Sequence, residues 1–253
     1  MLALSVVIIT HNEERNIARC IASVRALSDD IVVVDSGSTD RTVAIASGMG
    51  TRVSHHPWAG YSAQKNYANA LARHDHILSL DADEALSPEL TRSIQEAGAA
   101  GWSGAYSFHR LTNYCGHWVR HGGWYPDTKV RIFPKAGTRW TGEHVHETLE
   151  LAPGTPVTLL KGDLLHWSYH TLKDHEQRIE RYSDLHAQKL LAEGRRAGWI
   201  KRRLSPVVKF IQGYLLQLGL LDGTAGWHIA RLSARAVHLK YAKLHQLLQA
   251  RNA

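Results

Sequence analysis

Cysteine is scarce: the 253 residues include only Cys20 and Cys115, far apart and in no CxxC arrangement. That spacing excludes a disulfide framework and a cysteine-based zinc site, and it fits a reducing compartment. The N-terminus, MLALSVVIITHNEE, lacks the basic segment of a secretory leader, and its apolar run ends at Ile9. It reads as a first β-strand. Internal repeats and low-complexity tracts are also missing, so neither a solenoid nor a disordered chain is indicated. With 44% hydrophobic and 21% charged residues, the composition suits one substantial domain plus an appendage.

Charge is unevenly placed. Residues 1–169 carry 15 Lys and Arg against 17 Asp and Glu, whereas residues 170–253 carry 15 against 6. The excess of positive charge therefore belongs to the C-terminal third, which would attract a polyanion: nucleic acid, anionic lipid headgroups or a phosphorylated glycolipid. The expected division is a catalytic domain over 1–169 and a basic helical region over 170–253.

Hydrophobic patterning in the first 80 residues alternates strand and helix. Leu4 to Ile9 is a continuous apolar run of the kind buried on both faces of a parallel sheet. Ile17, Cys20, Ile21 and Val24 then repeat at helical spacing. Ile31 to Val34 predicts a second strand, ending at Asp35-Ser36-Gly37-Ser38-Thr39-Asp40, whose small and capping residues turn the chain into a helix near Thr42. A strand near 52–55, a helix near 64–72 and a strand over 77–80 continue the series, with a further helix near 88–97. Such repetition implies βαβ units: a Rossmann-like, mostly parallel sheet with helices on both faces. From about Leu172 the chain reads as helical, with breaks near 194–198 and 222–226.

Ligands of an open parallel sheet bind beyond the carboxyl ends of its strands. Asp35 and Asp81-Ala82-Asp83-Glu84 fall there. An extended Asp-x-Asp places two carboxylates on one side, where they can share a hard divalent cation and the diphosphate it neutralises. An isolated Asp-x-Asp is commonly a polar loop. Here it follows Ile77-Leu78-Ser79-Leu80 directly, and VVVDSGSTD supplies a second carboxylate at the equivalent end of another strand. That combination points to activation of a nucleotide-sugar.

The segments SVVIITHNEE (5–14), IVVVDSGSTDRT (31–42), GYSAQKNYA (60–68) and LSLDADE (78–84) resemble family 2 glycosyltransferases of the GT-A fold, over residues 1 to about 150. The resemblance implies that Thr10, Asn12, Glu13 and Asp35 hold the nucleotide base and ribose, and that Asp81 and Asp83 are the metal motif, with Asp83 the direct ligand. It implies Mg²⁺ or Mn²⁺ and a UDP-linked donor. Lys65 stands where a basic side chain faces the diphosphate or is simply solvated. Asp127, four residues before Arg131, matches the family's catalytic base, which takes the acceptor hydroxyl proton in an inverting transfer. Glu143 and Glu147 are rivals for that role. His146 matches a late histidine that some relatives direct at the metal or diphosphate.

Ile200 to Leu221 combines Lys201, Arg202, Arg203 and Lys209 with apolar residues, too short and polar to span a bilayer. It reads as a basic amphipathic helix lying in the headgroup plane, or as a cap packed on the catalytic domain. KFIQGYLLQLGLLDGTAGWHIA, with RYSDLHAQKLLAEG, further resembles lipopolysaccharide-core members of family 2 that add glucose. The resemblance thus implies hexose transfer to a lipid-linked glycan, by a cytoplasmic enzyme peripheral on an anionic membrane surface. Two alternatives are a nucleotidyltransferase, for which THNEERN lacks the Gly-rich phosphate loop, and a non-enzymatic polyanion binder. No recognised nucleic-acid motif accompanies the charge, and no nucleic-acid partner is expected.

Overall fold

Ser5–Thr10 form a strand whose six residues are all buried in the computed structural model, which describes residues 1–142, 147–196 and 198–252. This is β1. It is followed by α1 (Ile17–Val24), β2 (Asp30–Asp35), α2 (Thr42–Gly48), β3 (Arg52–His55), α3 (Tyr61–Ala70) and β4 (His76–Asp81). Then come β5 (Glu84–Leu86), α4 (Pro88–Ala99), β6 (Ala105–Tyr114), β7 (His117–Val119), β8 (Asp127–Pro134), β9 (Arg139–Thr141), β10 (Thr148–Glu150) and β11 (Val157–Tyr169). Three helices end the chain: α5 (Leu172–Ala192), α6 (Trp199–Ile211) and α7 (Gly223–Asn252), with a π-helical turn at Gln212–Leu216 and a 3-10 turn at Gly219–Asp222 before the last.

Two compact units divide these elements: residues 1–110 with 127–167, and residues 111–126 with 168–253. The first contains a mixed sheet in the order β3-β2-β1-β4-β8-β6-β11-β5. Its first four strands are parallel, as the βαβ pattern requires. Beyond β4 the pairing turns antiparallel, β4 with β8, β8 with β6, and β11 with β5. Strand alternation explains the two layers of core. Val6, Ile8, Val33, Leu78 and Leu80 face α1, α2 and α4, where Ile17, Cys20, Ile21, Val24, Ala46, Leu90 and Ile94 complete one cluster. Val7, Ile9, Val32, Val34 and Ile77 face the opposite way, onto Ala68 and Ala72 at α3 and onto Phe133 and Trp140. Each such aliphatic side chain contributes about 1.5–3 kcal/mol on burial.

The register sets the site. Thr10 pairs with Asp35, and Ile9 with Asp81, so β1, β2 and β4 end together. On the far side, β11 crosses the start of α4 at Gly162 (φ 91°), where a Cβ would meet the Leu90 backbone nitrogen at 2.3 Å. Only glycine allows that approach. Ser87 caps the same helix, its Oγ accepting from the Leu90 N–H at 3.2 Å, with Pro88 in the first turn.

In the second unit, the end of β6 and β7 form a hairpin that pairs Tyr114 with His117. Its two loop residues, Cys115 and Gly116, both have positive φ (52° and 92°), the turn geometry whose twist suits paired strands. Thr171 and Asp174 form a reciprocal cap on α5. Tyr114, Val119, Ala225 and Ile229 are the core, with Trp124 and Tyr169 packed against them. Tyr114 Oη shares a 2.8 Å hydrogen bond with His175 Nδ1. Burial first, and then the nearby Arg178 charge, push the His175 imidazole down to about 4. At the start of α7, a Cβ on Gly226 would lie 1.7 Å from the Gly219 carbonyl oxygen, so the turn and the helix pack backbone to backbone.

Candidate active site

The loops after β1 and β2 are stitched into one cradle. Asn12, at a positive φ of 55°, accepts from the Thr39 N–H through Oδ1 at 2.8 Å, and its own N–H donates to Ser38 Oγ at 2.8 Å. The Glu13 N–H donates to Thr42 Oγ1 (2.8 Å) and the Glu14 N–H to Asp40 Oδ2 (3.1 Å). Asp35 is buried at the turn. Its Oδ2 accepts from the Gly37 and Ser38 N–H groups at 2.8 and 2.9 Å, and Ser38 Oγ donates to Oδ1. Gln64 of α3 braces the cradle, donating to Ser36 Oγ and the His56 carbonyl while its Oε1 contacts His56 Nδ1. At the end of β1, the buried Thr10 Oγ1 has no hydrogen-bond partner among the described residues. Thr10, Asn12, Glu13 and Asp35 therefore converge at adjacent strand ends.

At the neighbouring end of β4, acid and base side chains alternate in a chain of contacts. Lys65 Nζ lies 3.2 Å from both Asp81 Oδ1 and Glu147 Oε1. Arg131 reaches Asp81 Oδ2 at 3.0 Å and Glu84 Oε1 at 2.6 Å. Arg110 sits 3.5 Å from Glu84 and 2.7 Å from Asp127 Oδ2, and Lys129 is 2.9 Å from Asp127 Oδ1. Four cations and four carboxylates thus balance. Burial alone would raise the Asp81 carboxyl, but Lys65 and then Arg131 hold it well below the usual carboxylate range. Burial likewise opposes the Arg131 charge, and Glu84 and Asp81 more than restore it. For Asp127, burial is outweighed by Lys129 and Arg110, so its carboxyl is also lowered.

Three expectations change in this light. Lys65 is buried, its side chain 2% exposed, rather than a solvated helix lysine. Asp81 and Asp83 do not lie along one extended strand: β4 ends at Asp81, and Ala82 and Asp83 form a turn before β5. The two carboxylates consequently have different neighbours. Asp83 is partly exposed and pairs with His166 Nε2 at 3.2 Å, because β5 and β11 bring Glu84 opposite His166. Glu143 and His146 lie outside the described residues.

Asp83 and His166 offer an oxygen and a nitrogen donor from adjacent segments. Among the described residues no group of three or more His, Cys, Asp or Glu is placed to hold a metal. This donor set fits a Mg²⁺ or Mn²⁺ ion held jointly with a substrate diphosphate and water, the usual arrangement for such ions, rather than one caged by protein. His166 carries no sequence signal beyond being a polar residue in the LLHW stretch of β11. Arg110 and Glu84 carried none that assigned them a role. Nearby, the Arg19 guanidinium stacks 3.4 Å over the Trp167 ring, and the Trp167 N–H donates to the Asp83 carbonyl.

Comparison with known proteins agrees with this arrangement. The model of glycosyl transferase family 2 matches residues 5–149. An uncharacterized glycosyltransferase of Rickettsia typhi is 30% identical, over 100% of this chain and 90% of its own length. The lipopolysaccharide core biosynthesis glycosyltransferase LpsC of Rhizobium meliloti is 29% identical, over 97% of this chain and 93% of its own. Among solved structures, glucosyl-3-phosphoglycerate synthase from Mycobacterium tuberculosis, in complex with Mn²⁺, UDP and glucosyl-3-phosphoglycerate, is 25% identical over 44% of each chain, with a TM-score of 0.37.

Proposed function

The chain belongs to glycosyl transferase family 2, and from that premise we propose that it moves a hexose, with inversion, from a UDP-linked donor to a lipid-linked saccharide of the lipopolysaccharide-core type. The observation that carries the reading is the contrast between Asp81 and Asp83 at the end of β4. Asp81 is neutralised by Lys65 and Arg131, while Asp83, beside His166, keeps a carboxylate for a divalent cation. The acceptor class is supported by the similarity to LpsC, which continues through the C-terminal helices and beyond the family's own span.

In this reading the cradle of Thr10, Asn12, Glu13 and Asp35 holds the nucleoside, and Lys65 faces the diphosphate. A bound cation offsets the charge that gathers on the leaving diphosphate. The acceptor oxygen attacks the anomeric carbon as the bond to the diphosphate breaks, and UDP departs with the electron pair. Asp127 takes the hydroxyl proton. Lys129 and Arg110 keep it ionised beforehand and lower its proton affinity, so the proton moves late, as the new bond forms. Glu147, bound to the same lysine as Asp81, is the alternative acceptor of that proton.

The test uses the purified full chain, UDP-hexoses, Mn²⁺ and a core glycolipid, with mass spectrometry of the product and its anomeric configuration by NMR. One added hexose of inverted configuration is the expected result. Asp83→Ala should abolish turnover, and full activity of this variant in metal-buffered assays would remove the metal role. Asp127→Asn should keep UDP binding and lose about 10²–10⁴-fold in transfer. If Glu147→Gln is silent instead and Asp127→Asn is active, the base is Glu147.

A further inference from the structure

Helix α6 carries its apolar stripe on the outside. Ile200, Leu204, Val207, Val208, Ile211 and Leu215 follow one another at helical spacing through α6 and into the π-helical turn, and each is between 40% and 64% exposed. No residue of α6 is buried. Its attachment to α7 is aromatic and polar instead: Phe210 and Tyr214 pack on Trp227 at 5.3 and 5.5 Å between ring centroids, and Lys201 Nζ lies 5.6 Å from the Tyr241 ring. An amphipathic helix that only capped the fold would point the stripe inward.

The apolar surface continues past the helix. Leu216, Leu218, Leu220 and Leu221 are exposed, Leu216 at 75%. Leu218 holds a positive φ of 57°, a region that L side chains other than Asn and Asp rarely occupy. Four leucines on one exposed turn gain nothing from water, and contiguous apolar surface of this extent marks a membrane or protein contact.

Charge decides between those two. From Trp199 to Leu221 the sequence has Lys201, Arg202, Arg203 and Lys209 and no Asp or Glu. Cations beside an unbroken apolar stripe, with Trp199 at one end and Trp227 nearby, match the headgroup and upper acyl layers of an anionic bilayer. Pro206 interrupts α6, no single helix is long and apolar enough to cross a membrane, and the axis bends by 73° between Trp199–Leu216 and Gly219–Arg251. We propose that α6 and the leucine turn after it form a monotopic membrane-docking element, lying in the plane of an anionic bilayer with the stripe and the leucines immersed. This narrows the element expected from sequence. Most of α7 is left out, because Ile229, Ala230, Leu232 and Leu244 are buried within the protein.

The experiment is flotation of the full chain with phosphatidylcholine vesicles and with vesicles containing one-quarter phosphatidylglycerol, without nucleotide-sugar or glycolipid. Its outcome is therefore separate from that of the transferase reading. Binding to the anionic vesicles is expected. Leu216→Gln with Leu221→Gln should weaken it at least about tenfold at any salt concentration. Replacing Lys201, Arg202, Arg203 and Lys209 by Gln should weaken it at least about tenfold at low salt and little at high salt. Absence of binding to either vesicle, or binding unchanged by both variants, overturns the proposal. So does a dimer in solution that the leucine variant splits, which would make the stripe a contact between two copies. Should the leucine variant fail to fold, as circular dichroism would report, the charge variant alone decides by the same criteria.

Discussion

Asp81 and Asp83 are two residues apart and have opposite surroundings, and the difference is set by what reaches each from other strands. Asp81 ends β4 between Lys65 and Arg131, whereas Asp83 turns away to His166. The sequence indicates that both are acidic and follow a buried strand. It does not indicate that Lys65 is buried or that His166 lies across from β5, because those contacts join residues far apart in the chain. Another single residue offers a sharper test. His175 is neutral when folded, titrating at about 4 against an ordinary 6.5, so between those values the unfolded chain binds the proton better. Its contribution is complete above pH 6.5 and is lost as pH falls toward 4, by about 3 kcal/mol in all. Thermal melts from pH 7.5 to 4 should show a steep loss in the parent and a shallower one in His175→Gln. Equal slopes would mean that another group governs the acid limb.

At the scale of elements, the strands that could be read from sequence are those buried on both faces. Leu4–Ile9, Ile31–Val34 and Ile77–Leu80 are continuous apolar runs, and each is a parallel strand in the structure. The antiparallel half was not legible, since β6, β8 and β11 mix polar, aromatic and apolar residues without a period that separates strand from loop. Yet β8 supplies Asp127, Lys129 and Arg131, and β11 supplies His166, so the hidden half of the sheet provides much of the site. Gly162 is the point where that half presses on α4. Gly162→Ala would drive a Cβ against the Leu90 backbone from a positive φ, and neither can yield cheaply. The expected cost is about 2–4 kcal/mol, read as a lower midpoint in urea unfolding. A midpoint within experimental scatter of the parent would show that β11 can move away from α4.

Across the whole molecule, the charge asymmetry was plain from composition, and its use was not. The C-terminal excess of cations is shared between α6, where the apolar stripe faces outward, and α5 and α7, where Arg235 and Lys243 pair with Glu176, Glu180 and Asp184. Counting charges cannot separate a paired arginine from one left for a ligand. The family's span ends at residue 149, so everything after it had to be read from local pattern.

The outward stripe of α6 also bears on how the rate should be measured. An enzyme held in the plane of a bilayer meets a lipid-linked acceptor by lateral diffusion, and the quantity that governs encounter is the acceptor's mole fraction in the surface. Diluting the glycolipid with inert phospholipid, at fixed bulk amounts of enzyme and glycolipid, should therefore slow the reaction in proportion. Adding buffer to the same vesicles should barely alter it while the enzyme stays bound. A rate that follows bulk concentration in both series would mean that the acceptor is taken from solution, one molecule at a time.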